Sequence, residues 1–256
     1  MVYDLLIRNA NVLDGSGAAH FRADVAIQGE RICAIGDMPY ATATTIIDAQ
    51  ERHLAPGFID VHTHDDTNVI RTPEMLPKLT QGITTVVVGN CGISASPVTL
   101  TREVPDPMNL LGKLEDFRYP SFSAYANAVD AAAPSINVAA LVGHTSLRSQ
   151  VMDSFARPAT AEEIAQMEVL LSQALDEGAL GLSSGLAYRN AIHAPTTEMA
   201  PLVAAVGKSG GVYTTHLRDE FAGLLEAMDE AFSTARDGQV PLVISHLKCA
   251  GAGNWG

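Results

Sequence analysis

Two rhythms of apolar and polar residues divide the chain. Over residues 1–56 the apolar runs are brief: 4–10, 24–28, 31–35 and 45–48, each reading as a short strand. Asp14-Gly15-Ser16-Gly17 and Gln28-Gly29-Glu30-Arg31 supply turns, and the second, between two strand-like runs, predicts a tight hairpin. This stretch is expected to form a small β unit.

After Pro56-Gly57 the spacing lengthens. Strand-like runs recur at 58–62, 84–88, 138–142, 179–182, 212–215 and 242–245, separated by helix-length spacers. One spacer carries a capping box: Thr160 precedes Glu163 by three residues, and Ile164, Met167, Leu171 and Leu175 follow at helical spacing before Gly178. Residues 195–207 and 221–235 predict further helices, and 94–133 a long loop followed by a helix. Buried strands alternating with helices imply a parallel α/β sheet. Six βα units can be counted, whereas a (β/α)8 barrel needs eight. The expectation is an incomplete TIM-like barrel over 57–256, preceded by part of a small β domain over 1–56, with the chain stopping in a loop after the sixth strand.

The predicted strand ends carry candidate chemistry. His62 and His64 close the first as His-x-His, Cys91 follows the second and His144 the third, and His216 and His246 close the fifth and sixth. In an α/β barrel these ends converge on one mouth. Residues i and i+2 of a strand share a face, so His62 and His64 can grip one ion. Imidazole together with thiolate suits zinc. A single buried histidine is more often a core residue than a ligand, and a single cysteine more often a small hydrophobe. Five such residues at the same end of four strands shift that balance towards a metal site. His144 stays open between a substrate contact, a support for the ligands and a structural role. Asp65, Asp66, Asp219 and Glu220 follow the ligand strands closely and are candidates for holding imidazoles. His20, His53, His193, Cys33 and Cys249 read as packing or surface residues.

Charge and cysteine usage narrow the partners. The 256 residues carry 16 basic and 29 acidic side chains, a formal charge of −13. That balance argues against nucleic acid or an anionic membrane surface. Three cysteines cannot build a disulfide framework, no apolar run is long enough to span a membrane, and Met1 leads straight into a strand pattern. A cytoplasmic protein acting on a small molecule is expected, with its oligomeric state unspecified.

Pro56-Gly57-Phe58-Ile59-Asp60-Val61-His62-Thr63-His64 resembles the opening of the amidohydrolase superfamily barrel. Gly89-Asn90-Cys91-Gly92, Gly143-His144-Thr145-Ser146-Leu147-Arg148, 181–188, Thr215-His216-Leu217-Arg218-Asp219-Glu220 and Ser245-His246-Leu247-Lys248 together resemble the N-acyl-D-amino-acid deacylase (D-aminoacylase) branch. The resemblance implies zinc-dependent hydrolysis of the amide of an N-acyl-D-amino acid by metal-activated water. It implies a tight zinc on Cys91, His216 and His246, a second, weaker position reached by His62 and His64, and substrate contacts from Tyr188 and Lys248. Dihydroorotases and hydantoinases bridge two metals with a carbamylated lysine on the fourth strand. Residues 179–184 contain no lysine, so Cys91 is the available anionic bridge and cyclic-amide chemistry is the weaker alternative. A non-catalytic assembly module of this fold is weaker still, since such proteins typically lose the metal histidines. The branch's general base, an Asp on the eighth strand, is expected beyond Gly256, which leaves the catalytic residue unknown and activity of this chain alone in doubt.

Overall fold

The structure is a computed structural model that describes residues 2–255. It contains two compact units divided between Phe58 and Ile59.

In the first unit, β1 (Val2–Val12), β2 (Phe21–Gln28), β3 (Arg31–Gly36) and β4 (Thr42–Asp48) form one sheet in the order β3-β2-β1-β4, and β5 (His53–Leu54) adds to the far end of β1. β2 and β3 pair antiparallel with Gln28 opposite Arg31, so Gly29-Glu30 is the two-residue turn of the expected hairpin; Gly29 takes φ +58° there. One face buries Ala10, Val12, Ala23 and Val25, the alternate positions that a half-buried strand pattern requires.

The second unit alternates strands and helices. β6 (Phe58–Asp60) is followed by two single-turn helices, α1 (Asn68–Arg71) and α2 (Leu76–Leu79), and then by β7 (Ile83–Val88). The long stretch after β7 forms a two-stranded ladder of β8 (Val98–Thr99) and β9 (Arg118–Tyr119), then α3 (Phe122–Ala132). Ile93, Val98, Met108, Leu111 and Phe117 close a small apolar core of its own beneath that ladder, which explains why so long a segment stays ordered.

β10 (Asn137–Ala140) and β11 (Val142–Gly143) are one extended segment interrupted at Leu141, followed by α4 (His144–Val151) and α5 (Ala161–Asp176). β10 pairs parallel with β7, and β11 pairs parallel with β12 (Gly181–Gly185). This segment therefore joins the sheet β10-β7-β6 to the sheet β11-β12-β13-β14, and strand neighbours follow chain order throughout. α6 (Thr196–Ser209) precedes β13 (Val212–His216), and α7 (Leu224–Asp237) precedes β14 (Leu242–Ile244).

The capping box forms as the pattern predicts: the Thr160 hydroxyl accepts from Glu163 N–H at 3.2 Å, and the Glu163 carboxylate accepts from Thr160 N–H at 2.8 Å. Met167 and Leu171 of α5 and Met199, Leu202 and Val206 of α6 pack with Val86, Val142, Leu182 and Tyr213 of the strands in one continuous core. No helix among the described residues is long and apolar enough to cross a membrane.

Candidate metal centre

Cys91 is the hub. It sits in a turn where Gly89, Cys91 and Gly92 all take positive φ, at +77°, +54° and +78°. Such a backbone is natural for glycine and uncommon for cysteine, so the surrounding structure must hold it. The holding groups are visible. Ser183 on β12 accepts from Gly92 N–H at 2.9 Å and donates to the Gly89 carbonyl. The first amides of α4 close on the same turn: Thr145 N–H and Ser146 N–H donate to the Gly92 carbonyl at 2.8 and 3.3 Å. Gly185, at the end of β12, lies so close that a Cβ there would fall 2.2 Å from the Cys91 carbonyl oxygen. β12 thus supplies a serine and a glycine that grip the cysteine turn.

Four imidazoles surround the thiol. His62 Nε2 lies 3.2 Å from Cys91 Sγ, and His216 Nδ1 and His246 Nε2 each lie 3.9 Å from it. The His62 and His64 rings meet edge to face at 5.4 Å, as do His216 and His246 at 4.3 Å. These donors form two triplets, His62–His64–Cys91 and Cys91–His216–His246, in each of which the ligand atoms lie within 4.8 Å of one another. The structure thus brings together all five residues singled out at the strand ends, with the sulfur common to both sets. It also changes one detail. β6 ends at Asp60, so His62 and His64 lie beyond the strand, and strand alternation does not set their shared direction. That bend is fixed instead by polar contacts: Asp60 accepts from His62 N–H at 3.2 Å, while Lys78 reaches Asp60 at 2.6 Å and Thr63 at 3.2 Å.

The donor set fits a borderline-soft cation such as zinc. Burial pushes the Cys91 thiol up to about 11, so without a neighbouring cation it keeps its proton. Burial, and then the neighbouring imidazoles, depress His62 to about 4. Burial likewise depresses His216 to about 4, with the Glu220 carboxylate opposing. Neutral imidazoles around a shared thiol form a ready ligand set, and the buried Nδ1 of His64 has no hydrogen-bond partner among the described residues.

The other candidates separate. Tyr188 sets its hydroxyl 3.1 Å from His216 Nδ1, at the edge of the cluster, and burial holds that phenol well above its ordinary value. Lys248 contacts Glu220 and lies 3.2 Å from His246 Nδ1. His144 does not join the cluster. As the first residue of α4 it is fully buried, with Nε2 on Glu198 at 2.9 Å, a setting that suits the structural role among the readings left open for it. Glu198 also receives Arg148 and accepts from Ala159 N–H at 2.9 Å, a buried polar knot between α4 and α6. The knot is not legible along the chain. Arg148, four residues after His144 on one helix face, was the only visible hint, since Glu198 lies fifty residues further on. Asp66, also buried, accepts from Ala95 N–H at 3.1 Å and so ties the His62–His64 loop to the segment after Cys91; burial raises its carboxyl to about 7. His193 and Cys249 are exposed, and His20 stacks edge to face on His53 within the β unit.

An N-acyl-D-aspartate deacylase of Alcaligenes xylosoxydans xylosoxydans is 46% identical over 99% of this chain. A D-aminoacylase whose structure was solved to study its binuclear metal centre superposes with a TM-score of 0.95 at 43% identity, over 99% of the chain. An N-acyl-D-glutamate deacylase from Bordetella bronchiseptica, solved with zinc and a phosphonate mimic of the tetrahedral intermediate, gives 0.95 at 40% identity over the whole chain. The chain spans about half the length of these relatives, 51%, 53% and 54% respectively. Residues 45–256 match the profile of the amidohydrolase family, and the chain belongs to that family.

Proposed function

We propose that the chain carries the metal-binding portion of a zinc-dependent N-acyl-D-amino-acid deacylase, which splits the amide into a D-amino acid and a carboxylate. The observation that carries this reading is the pair of ligand triplets sharing Cys91 Sγ. The strands β6 to β14 are read as the first six units of an eight-unit barrel, and the β unit as part of a small β domain. Cys91, His216 and His246 are assigned the tight zinc, and His62 and His64, with Cys91, a second, weaker position. A reducing cytoplasm suits this arrangement, because oxidation of Cys91 would remove the ligand common to both.

Zinc bound there supplies a water acidic enough to ionise near neutral pH and a Lewis acid for the amide carbonyl. The protein's own residues do the rest. Cys91 would hold the ion as a thiolate, whereas burial without a cation keeps it a thiol. Tyr188 stays protonated and presents its O–H beside His216, where it can donate to the oxygen that gains negative charge. Lys248 offers an ammonium to the substrate carboxylate. The proton-transferring carboxylate is assigned to the part of the barrel beyond residue 256, in line with the half-length match to the relatives.

The test has two parts. Metal analysis of the purified chain should find zinc, and N-acetyl-D-methionine should be hydrolysed by the longer polypeptide and negligibly by residues 1–256. A chain without zinc would overturn the ligand assignment, and hydrolysis of only the L-enantiomer by the longer polypeptide would overturn the substrate class.

A further inference from the structure

Glu220 is buried at the back of the cluster, on the loop after β13, and its carboxylate faces two ligand rings at once. His216 Nε2 lies 3.5 Å from Oε2, and His246 Nδ1 abuts Oε1. The opposite nitrogens of the same rings, His216 Nδ1 and His246 Nε2, are those that face Cys91 Sγ. One carboxylate therefore sits behind both imidazoles that complete the Cys91 triplet, and the two rings present different nitrogens to the sulfur. Lys248 contacts Oε2 and supplies the opposing charge.

A neutral imidazole carries one N–H, and the nitrogen turned to an ion must be the bare one. For His246 that places the proton on Nδ1, where an acceptor must receive it. Lys248 Nζ, 3.2 Å from the same atom, can only donate and would drive the proton to the wrong side. Glu220 Oε1, which His246 Nδ1 abuts, is a buried acceptor without a hydrogen-bond partner among the described residues, so it is open to that proton. On the metal-centre reading above, we propose that Glu220 is a positioning residue that fixes the tautomers of His216 and His246 together, so that Nδ1 of one and Nε2 of the other are bare towards Cys91 before any ion arrives. Carboxylates behind ligand histidines typically contribute a factor of about 10–100 in metal affinity.

Long-range proton–nitrogen NMR on the reduced, zinc-free chain with 15N-labelled histidine tests the tautomers directly. His246 should be protonated on Nδ1, the less common form of a free imidazole, and His216 on Nε2. In Glu220→Gln, His246 should lose that preference, and zinc affinity measured by chelator competition should fall about 10–100-fold. The thiolate-to-metal absorption of the cobalt-loaded chain should persist at saturating cobalt. His246 protonated on Nε2 in the unsubstituted chain would overturn the proposal whether or not the variant folds. Unchanged zinc affinity in a folded Glu220→Gln would overturn it too. If the unsubstituted chain takes up neither zinc nor cobalt, the metal-centre reading fails instead, and the tautomer measurement still decides what Glu220 does.

Discussion

Replacing Gly185 with alanine tests whether the cysteine turn is held by close backbone approach. The added Cβ would lie 2.2 Å from the Cys91 carbonyl oxygen and 2.6 and 2.7 Å from two ring carbons of Tyr188. Optimal non-bonded contacts run near 3.5 Å, so the Cys91 backbone or β12 must yield by about 1 Å. Overpacking of this kind costs about 1–3 kcal/mol. At about 2–4 °C per kcal/mol for chains somewhat shorter than this one, the melting temperature should fall by about 2–12 °C. The larger effect should be on metal. Ligand distances in a working site hold to within about 0.2 Å, and a displacement several times that size moves Sγ out of range of both histidine pairs. Calorimetry with and without zinc, together with chelator competition, reads both quantities. Gly253→Ala is the control, because a Cβ there meets nothing within 4 Å among the described residues. A Gly185→Ala chain that melts within about one degree of the parent and binds zinc equally well would refute the idea that Gly185 locks the Cys91 turn.

Three further outcomes follow from the same geometry. Glu198→Gln should destabilise the chain by about 3–5 kcal/mol in urea denaturation, because it leaves the Arg148 guanidinium buried without its counter-charge; a change below about 1 kcal/mol would show that the knot is dispensable. The Glu198 carboxyl sits at about 2, since burial, which raises it, is outweighed by His144, the Ala159 amide and Arg148. The unfolded chain then binds more protons than the folded one between about pH 4.3 and 2, so this contribution is complete above about 4.3 and is lost as pH falls through 2. Urea midpoints at pH 6 and pH 3 should differ more for the parent than for Glu198→Gln. Zinc at 100 times its dissociation constant should add about 2.7 kcal/mol of stability, some 5–10 °C in melting temperature, and Cys91→Ser should abolish most of that gain by removing the donor common to both triplets. A Cys91→Ser chain that keeps the full zinc-induced shift would contradict a shared sulfur.

The candidate chemistry was readable along the chain because each ligand stands near the end of an apolar strand run, and strand runs announce themselves locally. The same holds for α5, whose capping box and helical spacing are properties of neighbouring residues. His-x-His was legible as a pair but not as a bend past Asp60, since the strand stops where Asp60 and Lys78 engage, eighteen residues apart. Glu220 was visible only as one acid among several near the ligands. Its place behind two rings depends on the loop after β13 meeting the segment after β14.

The alternation of strands and helices, the hairpin at Gly29 and the positions of the histidines were determined by the sequence itself, because periodicity and turn preference act over a few residues. Only the tertiary structure decided that Gly185 would press on Cys91, that Glu198 would meet His144 and Arg148, and that one sulfur would serve two ligand sets. Those contacts join residues roughly fifty to more than a hundred positions apart, and they follow from strand register, as where Gly185 lies opposite His216 between β12 and β13. Register is settled by packing across the whole sheet, so a residue's own neighbours in sequence carry little record of it.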